Sequence, residues 1–271
     1  MLEINQIHQG DCLEVMQDIE DKSINLILCD LPYGVTQNKK DIIIDLRKLW
    51  KQYNRILKEK GVVVLTSQFP FTIDLIMSQN DLFRYDLIWN KQLVSGFLNA
   101  KRMPLRSHEH VLIFYKKLGT YNPQFTDGKP LHSKGNSYLH KELKNQNYGK
   151  FNHTDDSRKG SRQKYPKSII NIQKPHPSKA LHRTEKPVEL AEWLIKTYSN
   201  KKDTVLDNCI GTGWTAVACL NTERNFIGIE LDKNYVKVAQ QRIKEVAGCK
   251  AESDDGIPPT NKLVGILPKR L

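Results

Sequence analysis

The chain has 271 residues, of which 39% are hydrophobic, enough to bury one large core together with a small inserted region. Its formal net charge of +12 favours a polyanionic partner such as nucleic acid. No segment has the apolar length of a membrane span or the pattern of a signal peptide, which argues against a membrane protein and predicts a cytoplasmic one. The five cysteines are scattered and predict reduced thiols, which excludes a disulfide framework or a zinc site.

Strands and helices alternate along the first 115 residues. The predicted elements, in chain order, are a strand over 2–7, a short helix after Asp11, a strand over 24–29, a helix from Leu46 that Gly61 ends, a strand over 62–65, a helix over 71–77, and strands over 82–89 and 111–115. This alternation is typical of a mostly parallel sheet with helices on both faces.

The segment 116–180 has a different character, because its apolar runs are short and its many lysines and arginines are interleaved with aromatic residues. A disordered basic linker is one interpretation, but the regularly spaced aromatic residues favour a nucleic-acid surface. We therefore divide the chain into a core of 1–115 and 181–247, a basic insert of 116–180, and a C-terminal tail of 248–271 that we expect to be mobile or irregular.

Regular structure is predicted again after the insert. The elements are a helix from Pro187 to Tyr198, a strand over 204–207, a helix over 214–220, a strand over 226–230, and a helix that Asp232 caps and that runs to Val246. The second half of the core therefore continues the alternation of strand and helix seen in the first half.

Four residues, Asp30-Leu31-Pro32-Tyr33, directly follow the predicted strand over 24–29. Open α/β sheets bind their ligands at this end of the strands. The Asp30 carboxylate can accept a hydrogen bond from an exocyclic amine, Pro32 can orient a neighbouring carbonyl, and Tyr33 can stack on a planar base. An ordinary turn, in which Asp and Pro are common, explains the tetrapeptide equally well.

A second candidate site follows the strand over 204–207, where the sequence runs from Asp207 to Gly213 with two glycines. Glycine lets the backbone approach a ligand closely, and Glu230, at the end of the next strand, can bind the two hydroxyls of a ribose. A plain turn at the helix start is the alternative interpretation. The loop lacks the third glycine of a pyrophosphate binder, since position 216 is Ala216, and it lacks the Gly-Lys-Thr of an ATP loop. A cofactor without phosphates, S-adenosylmethionine, therefore fits best.

Together these motifs resemble those of the amino-group DNA methyltransferases, in the permuted group whose catalytic motif precedes the cofactor motif. The resemblance is carried by Asp30-Leu31-Pro32-Tyr33, His182-Arg183-Thr184-Glu185-Lys186-Pro187, the loop 207–213, Glu230, and the segment 107–114. It implies an α/β, Rossmann-like S-adenosylmethionine-dependent methyltransferase fold, with a mostly parallel seven-stranded sheet, one antiparallel strand and helices on both faces. It also implies that the insert is a target-recognition region and that the enzyme is of phage, prophage or restriction–modification type.

The resemblance further implies roles for individual residues. The catalytic residues would be Asp30, Pro32 and Tyr33. The cofactor-binding residues would be Asp11, Cys12, Asp30, Thr184, Lys186, Asp207, Asn208, Cys209, Gly211, Gly213, Glu230 and Leu231. Two of these have a structural alternative, since Asp11 can be a simple helix cap and Lys186 a solvated helix terminus. No metal is implied.

The reaction implied by the resemblance is methyl transfer from S-adenosylmethionine to adenine N6 in double-stranded DNA after base flipping. Cytosine N4 methylation, RNA methylation, and a non-catalytic nucleic-acid-binding protein with a degenerate core are the alternatives. The chain departs from the family pattern at Leu31, where proline is usual, and at Asn208-Cys209, where Pro-Phe is usual. Besides DNA, the expected partners are a second copy of the chain and a cognate restriction endonuclease.

Overall fold

The computed structural model describes residues 2–34, 41–131, 144–145, 149–150, 158–175 and 185–254, with the backbone alone at 144–145, 149–150 and 249–254. The chain forms two compact units, which are described separately. The first consists of Met1–Asn122 and Ser168–Leu271, and the second of Pro123–Lys167. Both candidate sites lie in the first unit.

A single sheet of eight strands runs through the described part of the first unit. In spatial order the strands are β1 (Gln6–Gln9), β12 (Asn225–Glu230), β11 (Thr204–Asp207), β2 (Ile24–Cys29), β3 (Leu57–Ser67), β5 (Arg106–Phe114), β4 (Phe83–Ser95) and β10 (Ile169–Asn171). Only β5 is antiparallel to its neighbours, β3 and β4. The sheet has eight strands where seven were predicted, because β10 from the range 116–180 pairs with β4 at the edge.

Six helices accompany the described strands: α1 (Cys12–Val15), α2 (Leu46–Ile56), α3 (Phe71–Ser78), α4 (Val188–Tyr198), α5 (Trp214–Asn221) and α6 (Lys233–Asp254). The prediction that Gly61 ends α2 is wrong, since the chain already turns into β3 at Leu57. Gly61 lies inside this strand, where a Cβ would come within 2.6 Å of the Leu57 side chain. The last helix continues past Gly248, at the start of the predicted tail; 255–271 lie outside the described residues.

The sheet separates two hydrophobic cores. Alternate residues of β2 point to opposite faces, so Leu26 and Leu28 pack with side chains of α4, α5 and α6, whereas Ile27 and Cys29 pack with those of α2 and α3. Helices therefore cover both faces, as predicted. Each core is closed to water, and together they fix the strand ends that carry the candidate sites.

The carboxyl ends of most strands meet at one edge of this sheet. The strands β1, β12, β11, β2 and β3 are mutually parallel, and β4 runs in the same direction because both β3 and β4 are antiparallel to β5. Asp30 and Glu230 consequently lie at the same edge, which is where open α/β sheets bind ligands.

The second unit contains two short antiparallel pairs in its described part, β6 (Thr126–Asp127) with β9 (Gln163–Lys164) and β7 (Lys144–Asn145) with β8 (Gly149–Lys150). The Arg158 guanidinium lies 5.0 Å from the ring centroid of Phe125 and 4.5 Å from that of Tyr165. These contacts show local order around Phe125, Arg158 and Tyr165, which differs from the linker interpretation for these described residues. In the described parts of both units, no helix has the length and apolarity to cross a membrane.

Candidate active site

Asp30 is the first residue after β2, and three side chains donate hydrogen bonds to its carboxylate. Oδ1 accepts from the hydroxyl of Tyr33 at 2.6 Å and from the hydroxyl of Thr66, the penultimate residue of β3. Oδ2 accepts from Lys186 Nζ at 2.7 Å. About four lone-pair positions are available on a carboxylate, and 22% of the Asp30 side chain is exposed. Asp30 can therefore accept one more hydrogen bond from a ligand.

A chain of buried charges continues from Asp30 into the sheet; we call Asp30, Lys186, Glu109 and Lys91 the charge chain. Lys186 Nζ lies 3.2 Å from Glu109 Oε2, and Lys91 Nζ lies 3.3 Å from Glu109 Oε1 and 3.2 Å from Ser95 Oγ. The side chains of Lys186, Glu109 and Lys91 are no more than 5% exposed. Because the charges alternate in sign, each buried ion faces an opposite one, which offsets part of its desolvation cost.

Burial and pairing act in opposite directions on these groups. Burial disfavours the ammonium of Lys186, but the charges of Asp30 and Glu109 outweigh it and raise its pKa. Burial alone would raise the pKa of Glu109, but Lys186 and Lys91 outweigh it and lower that pKa. The pKa of Tyr33 is raised well above its usual value, mainly by burial and to a smaller extent by the negative charges of Asp30 and Glu109. At neutral pH the site therefore holds a lysine cation, a glutamate anion and a neutral tyrosine donor.

The other residues of the tetrapeptide have separate surroundings. The Tyr33 ring centroid is 5.6 Å from that of Phe71, and Lys186 Nζ lies 5.5 Å from the Tyr33 centroid. Leu31 is buried in the core with α2 and α3, so the residue that replaces the usual proline fills the core and leaves the Asp30 carboxylate in place. Pro32, between Leu31 and Tyr33, is partly exposed.

Asp207 directs its carboxylate toward its own loop. Oδ1 accepts from the backbone N–H of Cys209 at 3.1 Å, and Oδ2 accepts from the Thr215 hydroxyl at 2.6 Å. The residue is 1% exposed, and burial raises its pKa to about 7, although the Thr215 hydrogen bond opposes this shift. In this conformation Asp207 joins the loop to the first turn of α5.

The Asn208 and Cys209 side chains face the interior beside α1 and α2. Asn208 is buried, and its Oδ1 accepts a short hydrogen bond from the Tyr53 hydroxyl. Cys209 is hydrogen-bonded to Cys12, and this bond, followed by burial, raises the pKa of Cys12 far above its usual value. The structure thus brings the predicted residues Cys12, Asn208 and Cys209 together.

Glu230 lies at the end of β12, where two backbone N–H groups orient its carboxylate. Gly211 N donates to Oε2 at 2.9 Å, and Asp232 N donates to Oε1 at 2.8 Å. The following residue, Leu231, is 70% exposed. The carboxylate is therefore fixed next to the loop 207–213, with an apolar side chain exposed beside it.

The two glycines of the loop, Gly211 and Gly213, share a backbone conformation but differ in what surrounds them. Both have a positive φ, 54° at Gly211 and 87° at Gly213, which disfavours other residues. A Cβ at Gly213 would lie 3.0 Å from the Cβ of Ala239 in α6, so this position packs against a helix. A Cβ at Gly211 would meet no atom within 4 Å, so the space beside Gly211 can receive a ligand.

The structure places the remaining predicted residues, Asp11, Lys186 and Thr184, in different ways. Asp11 caps α1, because its Oδ1 accepts from Leu13 N at 2.7 Å, which is the structural alternative given above. Lys186 is buried, so the interpretation as a solvated helix terminus is wrong. Thr184 lies outside the described residues. Its neighbour Glu185 forms a short ion pair with Arg242 of α6.

Sequence reasoning missed the roles of Thr66, Lys91 and Glu109. Each lies near the end of a predicted strand and has a contact partner that is distant in the sequence. The available indication was a charged residue two positions from an apolar one on the same strand. Lys91 is two positions after Trp89 and Glu109 two positions before Val111, and all four are buried. Thr66, next to an apolar run, gives no such indication.

Comparison with known proteins shows the family to which the chain belongs. A family model described as DNA methylase, of the N6 and N4 type, matches residues 24–241. Type II methyltransferase M1.MboII from Moraxella bovis is 27% identical over 262 residues, which cover 88% of this chain and 96% of that protein. The DNA adenine methyltransferase YhdJ from Escherichia coli (strain K12) is 27% identical over 270 residues, covering 92% and 86%.

Solved structures share the fold. The complex of M1.HpyAVI with SAM has a TM-score of 0.57 at 24% identity, covering 88% of this chain and 98% of that one. The cytosine-N4-specific PvuII DNA methyltransferase has a TM-score of 0.60 at 14% identity, covering 89% and 90%. These likenesses confirm the predicted methyltransferase fold. Since the family match extends over most of the chain, the prediction of an amino-group DNA methyltransferase of the restriction–modification type is confirmed, and the chain belongs to the N6/N4 DNA methylase family.

Proposed function

We propose that this protein is a site-specific DNA methyltransferase that moves a methyl group from S-adenosylmethionine to the N6 nitrogen of adenine in duplex DNA. The observation that carries the proposal is the Asp30 carboxylate, held between Tyr33, Thr66 and Lys186 with capacity for one further donor. An exocyclic amine extruded from the duplex is such a donor.

The residues around Glu230 fit S-adenosylmethionine. A carboxylate at the end of this strand binds ribose hydroxyls in nucleotide-binding β-α-β units, and the N–H groups of Gly211 and Asp232 hold it in place. The open space at Gly211 leaves room for the methionine part of the cofactor. The exposed Leu231 side chain can pack against the adenine base of the cofactor. When bound, this cofactor supplies an electrophilic methyl group on a positively charged sulfur.

Asp30 activates the target amine through hydrogen bonding and charge. The amine is a poor nucleophile because its lone pair is delocalised into the ring. A hydrogen bond to the Asp30 carboxylate, with a second to a carbonyl near Pro32, favours a tetrahedral nitrogen and stabilises the positive charge that develops on it. The methylated nitrogen then loses a proton, which passes to water. Tyr33, whose hydroxyl is fixed on Asp30, supplies a ring for the base.

Lys186 orients Asp30 in this proposal. Its ammonium is buried, ion-paired with both Asp30 and Glu109, and its pKa is raised by their charges, so it remains protonated at every physiological pH. Lys186, Glu109 and Lys91 are buried charges, and buried ion pairs are weak evidence for stability. Ionisable groups with shifted pKa values, such as Lys186 and Glu109, are concentrated at functional sites. The intact charge chain therefore favours a catalytic protein over the non-catalytic alternative.

Adenine is our choice of base, with cytosine N4 as the second candidate. An aspartate at the first position of the tetrapeptide and the relative named as a DNA adenine methyltransferase support adenine. The fold gives no preference, because the structure named as cytosine-N4-specific shares it.

The test is to incubate the purified protein with S-adenosylmethionine and unmethylated genomic DNA and to analyse the nucleosides by mass spectrometry. We expect N6-methyladenine. N4-methylcytosine would replace adenine by cytosine in the proposal, and an absence of methylated nucleosides would refute methyl transfer. Structured RNA, assayed in parallel, should remain unmethylated.

We further propose that the second unit reads the DNA target and that a cognate restriction endonuclease recognises the same sequence. The basic and aromatic composition of the segment 116–180 supports the first proposal, and the relatives named type II methyltransferases support the second. DNA affinity should fall steeply with salt, because phosphate contacts release counterions. The homodimer stays a prediction.

A further inference from the structure

The loop between β4 and β5 exposes large apolar side chains to water. We call residues 96–105 the β4–β5 loop. Its first turn is a 3₁₀ helix (Phe97–Asn99), in which Phe97 is 77% and Leu98 is 84% exposed. Met103 and Leu105 of the same loop are also exposed. Isolated exposed apolar residues are common, but so many in ten residues indicate a surface that another molecule covers.

This loop is ordered by its own hydrogen bonds. Asn99 N donates to Gly96 O at 2.9 Å and Arg102 N donates to Asn99 O at 2.8 Å. The base of the loop is closed where Ser95 pairs with Arg106 across the two strands. The two apolar residues at the tip are therefore presented by a fixed backbone, which lowers the entropic cost of inserting them into a partner.

The loop begins at the edge of the sheet that carries Asp30. The strand β4 runs parallel to β3, so its end at Ser95 lies on the same edge as the end of β2. The charge chain joins the two places directly, since it runs from Asp30 to Lys91, and Lys91 Nζ contacts Ser95 Oγ at 3.2 Å. Each contact along this path is 3.3 Å or shorter.

Charge identifies the partner as a polyanion. Lys101, Arg102 and Arg106 are exposed around the tip, and the sequence from 92 to 108 contains no aspartate or glutamate. Apolar residues flanked by cations match a DNA duplex, in which stacked bases lie between two rows of phosphates. Side chains such as Phe, Leu and Met are those that enter between base steps in proteins that distort DNA.

We propose that Phe97 and Leu98 form a wedge that enters the DNA base stack beside the target nucleotide and helps to extrude it toward Asp30. Lys101, Arg102 and Arg106 contact the phosphates on either side of the opened step. The wedge offsets the lost stacking of the extruded base, in the same way that Tyr33 offsets it inside the pocket. This inference rests on the proposed DNA-methylating function, because it assigns the step that precedes methyl transfer.

The test uses a short duplex that carries the sequence which the protein binds most tightly in a selection from random duplexes, with 2-aminopurine in place of each of its adenines in turn. Its fluorescence rises when the base leaves the stack, whether or not a methyl group is transferred. We expect the variant F97A/L98A to lose at least half of the rise given by the parent protein, and Asp30→Asn to retain it. Met77→Ala removes an exposed apolar side chain from α3 and should behave like the parent.

A second substrate separates the wedge from a general loss of DNA binding. When the target adenine is opposite an abasic site, no base pair has to be broken, so the base leaves the helix at a lower energetic cost. We expect F97A/L98A to methylate the normal duplex at least tenfold more slowly than the parent, and the abasic duplex within about twofold of the parent rate. An equal loss on both duplexes, or no loss on either, would overturn the proposal.

Two further outcomes have distinct meanings. If F97A/L98A converts a dimer into a monomer in light scattering, the apolar loop is a contact between two copies of the chain and the wedge is refuted. If the parent protein increases the fluorescence but transfers no methyl group, the proposed reaction fails while the wedge stands. The two proposals can therefore fail independently.

Discussion

The two halves of the candidate active site are held together by different kinds of contact. Side chains from β3, β5 and the start of α4 reach Asp30 or its partner Lys186, and these residues are far from Asp30 in sequence. At the cofactor loop, residues 207–213, the carboxylates of Asp207 and Glu230 accept hydrogen bonds mainly from nearby backbone N–H groups. Methyl transfer should therefore depend on side-chain identity at Asp30, and cofactor binding on loop geometry near Glu230.

The largest effect is expected from Asp30→Asn, which keeps the shape of the side chain and removes its charge. The single-turnover rate of methyl transfer should fall about 10²–10³-fold, the size of effect seen when one group that stabilises transition-state charge is removed. The affinities for DNA and for S-adenosylmethionine, measured by titration, should change little. A rate within a few-fold of the parent would show that Asp30 does not act on the amine.

A smaller loss is expected from Lys186→Met, because Asp30 keeps two of its three donors. We expect a rate reduction of about 10–100-fold, equivalent to about 1.4–2.7 kcal/mol. Without the ammonium, Glu109 loses one of its two cationic partners and its pKa rises relative to that in the parent, so the pH profile of the rate should differ from the parent profile. The rate should be measured from pH 6 to pH 9.

Two controls accompany this prediction. Lys201→Met removes an exposed lysine that is ion-paired with Glu223 and should leave the rate profile unchanged. Lys186→Arg keeps the charge and should fold if Lys186→Met does not. A pH profile of Lys186→Met that is parallel to the parent profile at normal rate would remove Lys186 from the positioning of Asp30, whereas Lys186→Arg should keep a profile close to that of the parent.

At the cofactor loop, Glu230→Gln should change binding with little effect on chemistry. The amide can accept only through Oε1, so one of the two backbone N–H groups loses its acceptor and the ribose loses an anionic partner. We expect the Kd for S-adenosylmethionine to rise about tenfold, or about 1.4 kcal/mol, while the rate at saturating cofactor stays within about threefold. Calorimetric titration measures the first quantity. A normal Kd together with a strongly reduced rate would contradict the assignment of Glu230 to cofactor binding.

The smallest effect on methyl transfer is expected from Asp207→Asn, which should change the pH dependence of stability. Burial raises the pKa of Asp207 from 3.8 to about 7, so the folded state binds a proton more tightly than the unfolded state. Its stabilising contribution is therefore complete below pH 4 and is lost as the pH rises toward 7. Between pH 5 and pH 8, the free energy of unfolding of the parent should fall by roughly 2–3 kcal/mol relative to Asp207→Asn. Urea unfolding at both pH values measures this, and a constant difference would contradict it.

The contrast between the two halves also explains how much the sequence could predict. The cofactor loop depends on local spacing, so the strand, the glycines and Glu230 could be identified in order and the structure brings them together. The other residues of this half could not be identified in this way, because Thr66, Glu109 and Lys91 reach the site only through the order of the strands. Apolar periodicity shows which face of a strand is buried and does not show which strand lies beside it.

Two errors in the predicted elements have similar causes. The helical spacing of α2 includes Leu57, yet Leu57 begins β3, because its side chain fits against Gly61 in the extended strand. The polar surroundings of the short strand β10 predict that it belongs to the insert, and only its pairing with β4 places it in the sheet. In both cases a tertiary contact determines a local conformation that differs from the one predicted by the local residue pattern.

The most direct test of the central claim is modification-aware sequencing of DNA from cells that express this protein, beside cells that express the Asp30→Ala variant. We predict N6-methyladenine at nearly every occurrence of one short sequence in the first sample and none at that sequence in the second. Unmodified adenine in both samples, or equal modification in both, would contradict the assignment of Asp30 as the group that holds the target amine.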